Sequence, residues 1–247
     1  CTPLLLRVIV DGLLSRSSLI PDTEYLILDT MTRVYVVTPT YNEKDNLPIL
    51  VERIFALKIP DLHLMVVDDN SPDGTGKVAD ELRQKYSALT VIHREKKSGL
   101  GTAYVEAFKT LLHVVVPDFI IQMDADLSHD PEVIPAMLEK IRDCDVVLGS
   151  RYIPGGKTVN WDFFRKMISR FGNIYARIIL GLPYHDLTGG FKCWRKDFLK
   201  KMNLEKLSSV GYNFQIETTY LAHKLGAKIC EIPITFTERK VGTSKFS

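Results

Sequence analysis

The chain has 247 residues, 45% apolar and 25% charged, which excludes disordered and fibrous classes and fits one globular domain. Lys plus Arg number 32 against 30 Asp plus Glu, a net charge of +2, so the balance implies no attraction to nucleic acid and any anion site has to be local. Four cysteines, Cys1, Cys144, Cys193 and Cys230, stand far apart without a CxxC pair; this argues against a zinc cluster or a disulfide framework and fits a reducing compartment.

Residues 1–30 read as an N-terminal extension. Its apolar stretch Leu4–Leu14 is short, carries Arg7 and Asp11, and is expected to pack on the core rather than span a bilayer. From Arg33 strand-like and helix-like segments alternate. Val34–Val37 is β-rich, and Leu47, Leu50, Ile54 and Leu57 recur at helical spacing between Asn46 and Leu57. Leu62–Val67 predicts a strand, Asn70–Gly74 a turn, and Thr75–Tyr86 a helix. Thr90–His93, Phe119–Met123 and Asp145–Leu148 continue the strands. After Arg151 come Pro154-Gly155-Gly156, a long helix over Phe163–Leu180, a loop through Asp186–Gly190, a helix over Phe214–Leu225, a strand over Ile229–Phe236 and a polar, basic tail to Ser247. Continuous apolar strands joined by helices predict an α/β fold, Rossmann-like, with a mostly parallel sheet flanked by helices. No repeat or linker divides the chain after residue 30, so 31–247 is expected to be one domain.

In such sheets ligands bind beyond the C-terminal strand ends, and those ends are polar here: Thr38–Glu43, Asp68–Ser71 and Asp124–Asp126. Asp124-Ala125-Asp126 offers two carboxylates to a hard cation such as Mg²⁺ or Mn²⁺. Asp130, before Pro131, already serves as a helix N-cap, which leaves the pair without a capping task. One of Asp68 and Asp69 is expected to contact ligand while Ser71 or Asp73 shapes the turn. Lys96–Gly101 reads either as a phosphate cradle or as a tight structural turn. Arg151 ends the fifth strand, and Arg165 and Ser169 share one helical face, a fork for a second phosphate; Arg170 and Arg177 read as solvated. The apolar stripe of that helix, Phe164 to Ile179, is expected to face the core, with a membrane interface as the alternative. No pair of histidines stands at metal-ligand spacing.

Pro39-Thr40-Tyr41-Asn42-Glu43, Val67-Asp68-Asp69-Asn70-Ser71-Pro72-Asp73, Asp124-Ala125-Asp126, Gly149-Ser150-Arg151-Tyr152, Asp186-Leu187-Thr188-Gly189-Gly190-Phe191 and Glu238-Arg239-Lys240-Val241-Gly242-Thr243-Ser244-Lys245 together resemble the inverting family-2 glycosyltransferases of GT-A fold. Within them the chain resembles the dolichol-phosphate (polyprenol-monophosphate) mannosyltransferases. The resemblance implies that Pro39, Tyr41 and Glu43, with Asp68 or Asp69, hold the nucleoside side of GDP-mannose, and that Asp124 and Asp126 bind the metal on its diphosphate. Arg239 and Lys245 would close over that diphosphate, and Arg151, Arg165 and Ser169 would bind the phosphate of the lipid acceptor. Some relatives carry Gln two residues after the second Asp; here Ser128 stands there, so Ser128 or water takes the third ligand position. Members reach the membrane through C-terminal spans, a single anchor or small membrane subunits, which implies a peripheral position, on the cytosolic face of the endoplasmic reticulum for a eukaryotic source.

The implied reaction gives an inverted, β-linked mannosyl phosphate lipid. Three rivals stand beside it: another donor such as UDP-glucose, a catalytically silent sugar-nucleotide-binding subunit, and a metal-dependent phosphatase.

Overall fold

The computed structural model describes residues 32–115, 117–207 and 212–238, so the N-terminal extension with Cys1 lies outside the described residues, as do Arg239 and Lys245. The strands are β1 (Val34–Thr40), β2 (Leu62–Asp68), β3 (Leu89–His93), β4 (Phe119–Gln122), β5 (Val146–Ser150), β6 (Lys157–Val159), β7 (Lys192–Arg195), β8 (Ile229–Pro233) and β9 (Thr235–Thr237). Seven of them make one sheet in the order β3-β2-β1-β4-β7-β5-β8. Neighbours in it run parallel except β7, which is antiparallel to both β4 and β5. The expected mostly parallel sheet flanked by helices is therefore present.

β1 sends Val34 and Val36 to one core cluster and Tyr35 and Val37 to the other. A strand covered on both faces has no solvent side, so it reads as a continuous apolar run. Helices α1 (Asn46–Ala56), α2 (Thr75–Lys85) and α4 (Ile134–Lys140) contribute to the first cluster, and α3 (Leu100–Thr110) and α6 (Tyr212–Lys224) to the second. All the parallel strands end on one edge, and β7 begins there, because Lys192 pairs with Gln122 and Leu148. The Asp186–Gly190 loop thus enters the sheet at the same edge as the ends of β1, β2 and β4.

Four expectations change. β7 was not anticipated: four residues with a cation at each end carry no strand signature, and only its neighbours make it one. The strand expected over Ile229–Phe236 is split in two at Ile234, with Pro233 ending β8 on the edge of the large sheet, where a missing N–H is tolerated. Ile234 still donates to the Ser150 carbonyl, and β9 then pairs with β6 in a separate two-stranded sheet. Third, the cysteines are not all inert: Cys144 and Cys230 form a disulfide with Cα atoms 6.2 Å apart. They lie 86 residues apart in sequence, and only the β5–β8 pairing brings them together. Cys193 is a free thiol buried in β7, and burial pushes its pKa up.

The fourth concerns α5 (Phe163–Leu180), which has the expected limits. It starts at Asp162, whose carboxylate accepts the Arg165 N–H at 2.8 Å, and stops at Gly181 with φ +63°. Its apolar stripe does not face the core. Phe163, Phe164, Ile168, Phe171, Tyr175, Ile178 and Ile179 are all at least 65% exposed, and Asn173 and Ala176 are the buried residues of the helix. Asn173 holds the Asp186–Gly190 loop: Oδ1 accepts from the N–H groups of Leu187 and Thr188, and Nδ2 donates to Thr188 Oγ1. The inward side of α5 is small and polar because it packs against a loop whose backbone needs partners.

Candidate active site

The Asp124 loop follows β4. Asp126 is buried, and its Oδ1 accepts from Ser128 N at 3.0 Å and Ser128 Oγ at 2.5 Å. Between them Leu127 stands at φ +62°, a left-handed conformation that costs a branched residue on the order of 1–2 kcal/mol. The reversal turns Asp126 and Ser128 toward each other. Asp124 is partly exposed, and its backbone N–H donates to His129 Nδ1 at 3.2 Å. That bond leaves the proton of the neutral ring on Nε2. His129 lies between Phe191 and Phe236, and burial lowers its pKa, which keeps it uncharged. Across the loop, a Cβ on Gly190 would stand 3.3 Å from both Asp124 carboxylate oxygens. Glycine there lets the loop backbone approach the carboxylate closely.

Among the described residues no three His, Cys, Asp or Glu converge as a closed metal cage. Two carboxylates and the Ser128 hydroxyl form a hard-oxygen set with few protein ligands, which fits a divalent cation that completes its shell with phosphate oxygens and water.

The β1 and β2 ends form the adjoining wall. Pro39 is half-buried in β1, and Lys97 Nζ stands 4.3 Å from the centroid of the Tyr41 ring. Glu43 is buried: Oε2 accepts from Asn46 Nδ2 at 2.8 Å, and its N–H donates to Thr75 Oγ1. Asp68 accepts from Thr40 Oγ1, Ser71 Oγ and Ser71 N. Asp69 accepts from Arg94 Nη1 on one oxygen and from the N–H groups of Ser98 and Gly99 on the other. Both aspartates, one of which was expected to serve a ligand, are thus supplied with protein donors. The same bonds bear on the two readings of Lys96–Gly101: its N–H groups at Ser98 and Gly99 donate to Asp69, which favours the structural turn. Asp73 accepts from Thr75 N and Oγ1 and from Lys44 N, as a turn residue should.

On the β5 side Arg151 is buried and bidentate to Asp186, with Nε–Oδ2 and Nη2–Oδ1 both 2.7 Å. Its backbone N–H also donates to Asp186 Oδ2, and Nη2 reaches Thr188 Oγ1. Arg165 leans over Trp161, 4.4 Å from the ring, and donates to Glu238 Oε1 at 2.6 Å. Ser169 Oγ accepts from the Tyr152 hydroxyl at 2.7 Å. Arg165 and Ser169 are therefore brought to one shelf, and Arg151 lies behind it in the interior. Two adjacent residues join this shelf to the Asp124 loop: Thr237 N–H donates to the Ser128 carbonyl, and Glu238 pairs with Arg165. Trp161 and His129 were given no role from sequence. The available signals were that Trp161 is one of two tryptophans and stands just before the α5 N-cap.

Residues 35–202 match the glycosyl transferase family 2 domain. The chain is 46% identical over 215 residues to the undecaprenyl-phosphate mannosyltransferase of Micrococcus luteus, covering 87% of this chain and 88% of that protein. It is 43% identical over 217 residues to the polyprenol monophosphomannose synthase of Mycolicibacterium smegmatis, covering 87% and 81%. Among solved structures it is similar, with a TM-score of 0.59 and 19% identity, to the mannosyltransferase PcManGT of Pyrobaculum calidifontis in complex with GDP-Man and Mn²⁺. That match covers 98% of this chain and 66% of the other, and it shows the GT-A type of fold.

Proposed function

The chain belongs to glycosyltransferase family 2, and on that premise we propose that residues 31–247 form a catalytic domain that transfers mannose from GDP-mannose to a polyprenyl phosphate with inversion. The observation that carries this reading is the pairing of two anion-handling centres, the Asp124–Asp126–Ser128 oxygen set and the Arg165–Ser169 shelf, joined by Thr237 and Glu238. A transfer between a nucleoside diphosphate and a phosphate monoester needs such a pair.

The acceptor phosphate, with a second pKa of about 6, is largely dianionic at neutral pH and is already a nucleophile. No side chain has to remove a proton, and His129, buried and with Nδ1 occupied by the Asp124 N–H, is not placed to act as a general base. Mg²⁺ or Mn²⁺ held by Asp124, Asp126 and Ser128 would supply charge neutralisation for the departing GDP. Manganese accompanies GDP-Man in the similar Pyrobaculum structure, which supports this choice. Pro39, Tyr41 and Glu43 line the nucleoside end, with Asp68 and Asp69 shaping that wall from behind; Arg239 and Lys245, outside the described residues, would close over the diphosphate. Arg165 and Ser169 receive the acceptor phosphate, and Arg151, neutralised by Asp186, fixes the floor beneath them. Lone-pair attack on the anomeric carbon as the glycosyl–phosphate bond breaks inverts that centre.

The acceptor is membrane-bound, and α5 supplies the means of reaching it. No described helix is long and apolar enough to cross a membrane. The outward apolar side of α5, interleaved with Lys166, Arg170 and Arg177, suits a helix lying in the headgroup region, and Arg165 and Ser169 sit on that same helix. Both curated relatives are bacterial, so the reading is of a peripheral enzyme on a membrane surface, with no organelle assigned.

The test is transfer of labelled sugar from GDP-mannose to polyprenyl phosphate in detergent, with Mg²⁺ or Mn²⁺ and a chelator control. Metal-dependent formation of an acid-labile mannolipid is the expected result. Turnover of UDP-glucose with none of GDP-mannose would overturn the donor.

A further inference from the structure

The side chain of Gln215, in the first turn of α6, is 1% exposed, and neither Nε2 nor Oε1 has a hydrogen-bond partner among the described residues. Burying an amide this way costs on the order of 1–3 kcal/mol for each unmet group, whereas Leu or Met would fill the same volume without that penalty. Its backbone is held firmly. Lys192 Nζ donates to the Gln215 carbonyl at 2.6 Å and to the hydroxyls of Thr218 and Thr219 at 3.0 and 2.9 Å. Next to it Phe214 stacks parallel on Tyr104, whose phenol is pushed well above its ordinary pKa by burial and then by Asp124 and Asp126. Gln215 is therefore fixed on the flank of the Asp124 loop.

Gly190 shows where the amide points. A Cβ there would lie 3.4 Å from Gln215 Nε2 and 3.3 Å from both Asp124 oxygens. The amide and the carboxylate therefore lie side by side against one glycine, whose missing side chain permits the close approach. Asp124 itself would satisfy Nε2 alone and leave Oε1 unmet, since a carboxylate only accepts. A hydroxyl both accepts and donates, and adjacent hydroxyls answer both halves of an amide.

We propose that Gln215 recognises the hydroxyls of the hexose on the nucleotide-diphosphate donor, with Gly190 allowing the amide and the Asp124 carboxylate to lie side by side against the loop. The assignment rests on the transferase reading above. Because the amide is shut off from bulk water, the bond forms in a dry site, where a donor lacking the hydroxyl leaves buried polar atoms unpaired and is rejected strongly. Gln215 is then a specificity-determining residue, and Lys192 positions it through α6.

The experiment compares wild type, Gln215→Leu and Gln215→Asn with GDP-mannose and its singly deoxygenated analogues as donors to polyprenyl phosphate, alongside calorimetric GDP binding with Mn²⁺. Wild type should disfavour at least one deoxy donor by about tenfold or more in kcat/KM. Gln215→Leu should lose about tenfold on GDP-mannose yet treat that deoxy donor as wild type does, with GDP affinity unchanged. Gln215→Asn, which keeps both amide functions, should retain part of the discrimination, and it carries the test if the Leu variant fails to fold. Equal losses on every donor, or a parallel fall in GDP affinity, would overturn the assignment. Absence of transfer from GDP-mannose by wild type would instead sink the functional reading on which it rests.

Discussion

Removing Asp186 should strand a charge inside the protein. Arg151 and Asp186 have side-chain exposures of 5% and 0%, and three hydrogen bonds link them, two from the guanidinium and one from the Arg151 backbone. Breaking such a pair from one side costs about 3–5 kcal/mol, mostly because the surviving charge keeps its desolvation penalty without its attraction. A domain is typically stable by only about 5–15 kcal/mol, so Asp186→Ala should remove a large share. With a urea m-value of about 3 kcal/mol/M the midpoint should fall by about 1–1.7 M. The control is Arg151→Met combined with Asp186→Leu, which removes both charges and keeps the volume apolar. That double variant should be more stable than Asp186→Ala alone, the opposite of what independent contributions would give. A midpoint for Asp186→Ala within about 0.3 M of wild type, or a double variant as unstable as the sum of its parts, would refute the view that the pair is a buried structural unit.

Arg165→Ala should raise KM for polyprenyl phosphate by about tenfold or more while GDP-mannose affinity stays within about twofold; equal losses on both substrates, measured by steady-state kinetics and calorimetry, would place Arg165 elsewhere. Burial pulls Lys192 down to about 7 from 10.5, so above pH 7 the unfolded chain holds a proton that the folded chain has released, and stability rises with pH in that window. Lys192→Met should flatten this rise between about pH 7 and about pH 8.5 in urea midpoints, and an unchanged slope would argue against the assignment. Glu at Phe171 and Ile178, which are 67% and 74% exposed, should abolish co-sedimentation with anionic vesicles and leave the unfolding midpoint as in wild type. Vesicle binding that survives both changes would mean α5 is not the membrane-facing element.

What the residues disclosed depended on the range of the interaction. Leu47, Leu50 and Ile54 betray α1 because helical periodicity is local, and the start of β1 is legible because Val34–Val37, covered on both faces, form a continuous apolar run. The limits of α5 were equally clear, since Asp162 and Gly181 mark them. Its orientation was not, because an amphipathic stripe states a period without saying which side faces inward. β7, the break at Ile234 and the Cys144–Cys230 bond depend on neighbours remote in sequence. The candidate site divides in the same way. Asp124, Asp126 and Ser128 stand within one loop and could be nominated together. Asp68 and Asp69 look the same as strand-end carboxylates, but whether their donors come from a ligand or from the protein is decided by Thr40, Ser71, Arg94 and Ser98.

The inside-out packing of α5 separates two properties that an ordinary amphipathic helix combines. In most helices a change to the apolar side lowers stability, and solubility is adjusted on the polar side. Here the small and polar residues Asn173 and Ala176, with Leu180 at the helix end, hold the fold, and the outward apolar residues do not. The apolar side is thus open to recoding for handling in water, whereas an added methyl on the inward side would press on the loop that Asn173 secures. Engineering a detergent-independent form should begin on the greasy face and leave Asn173 untouched.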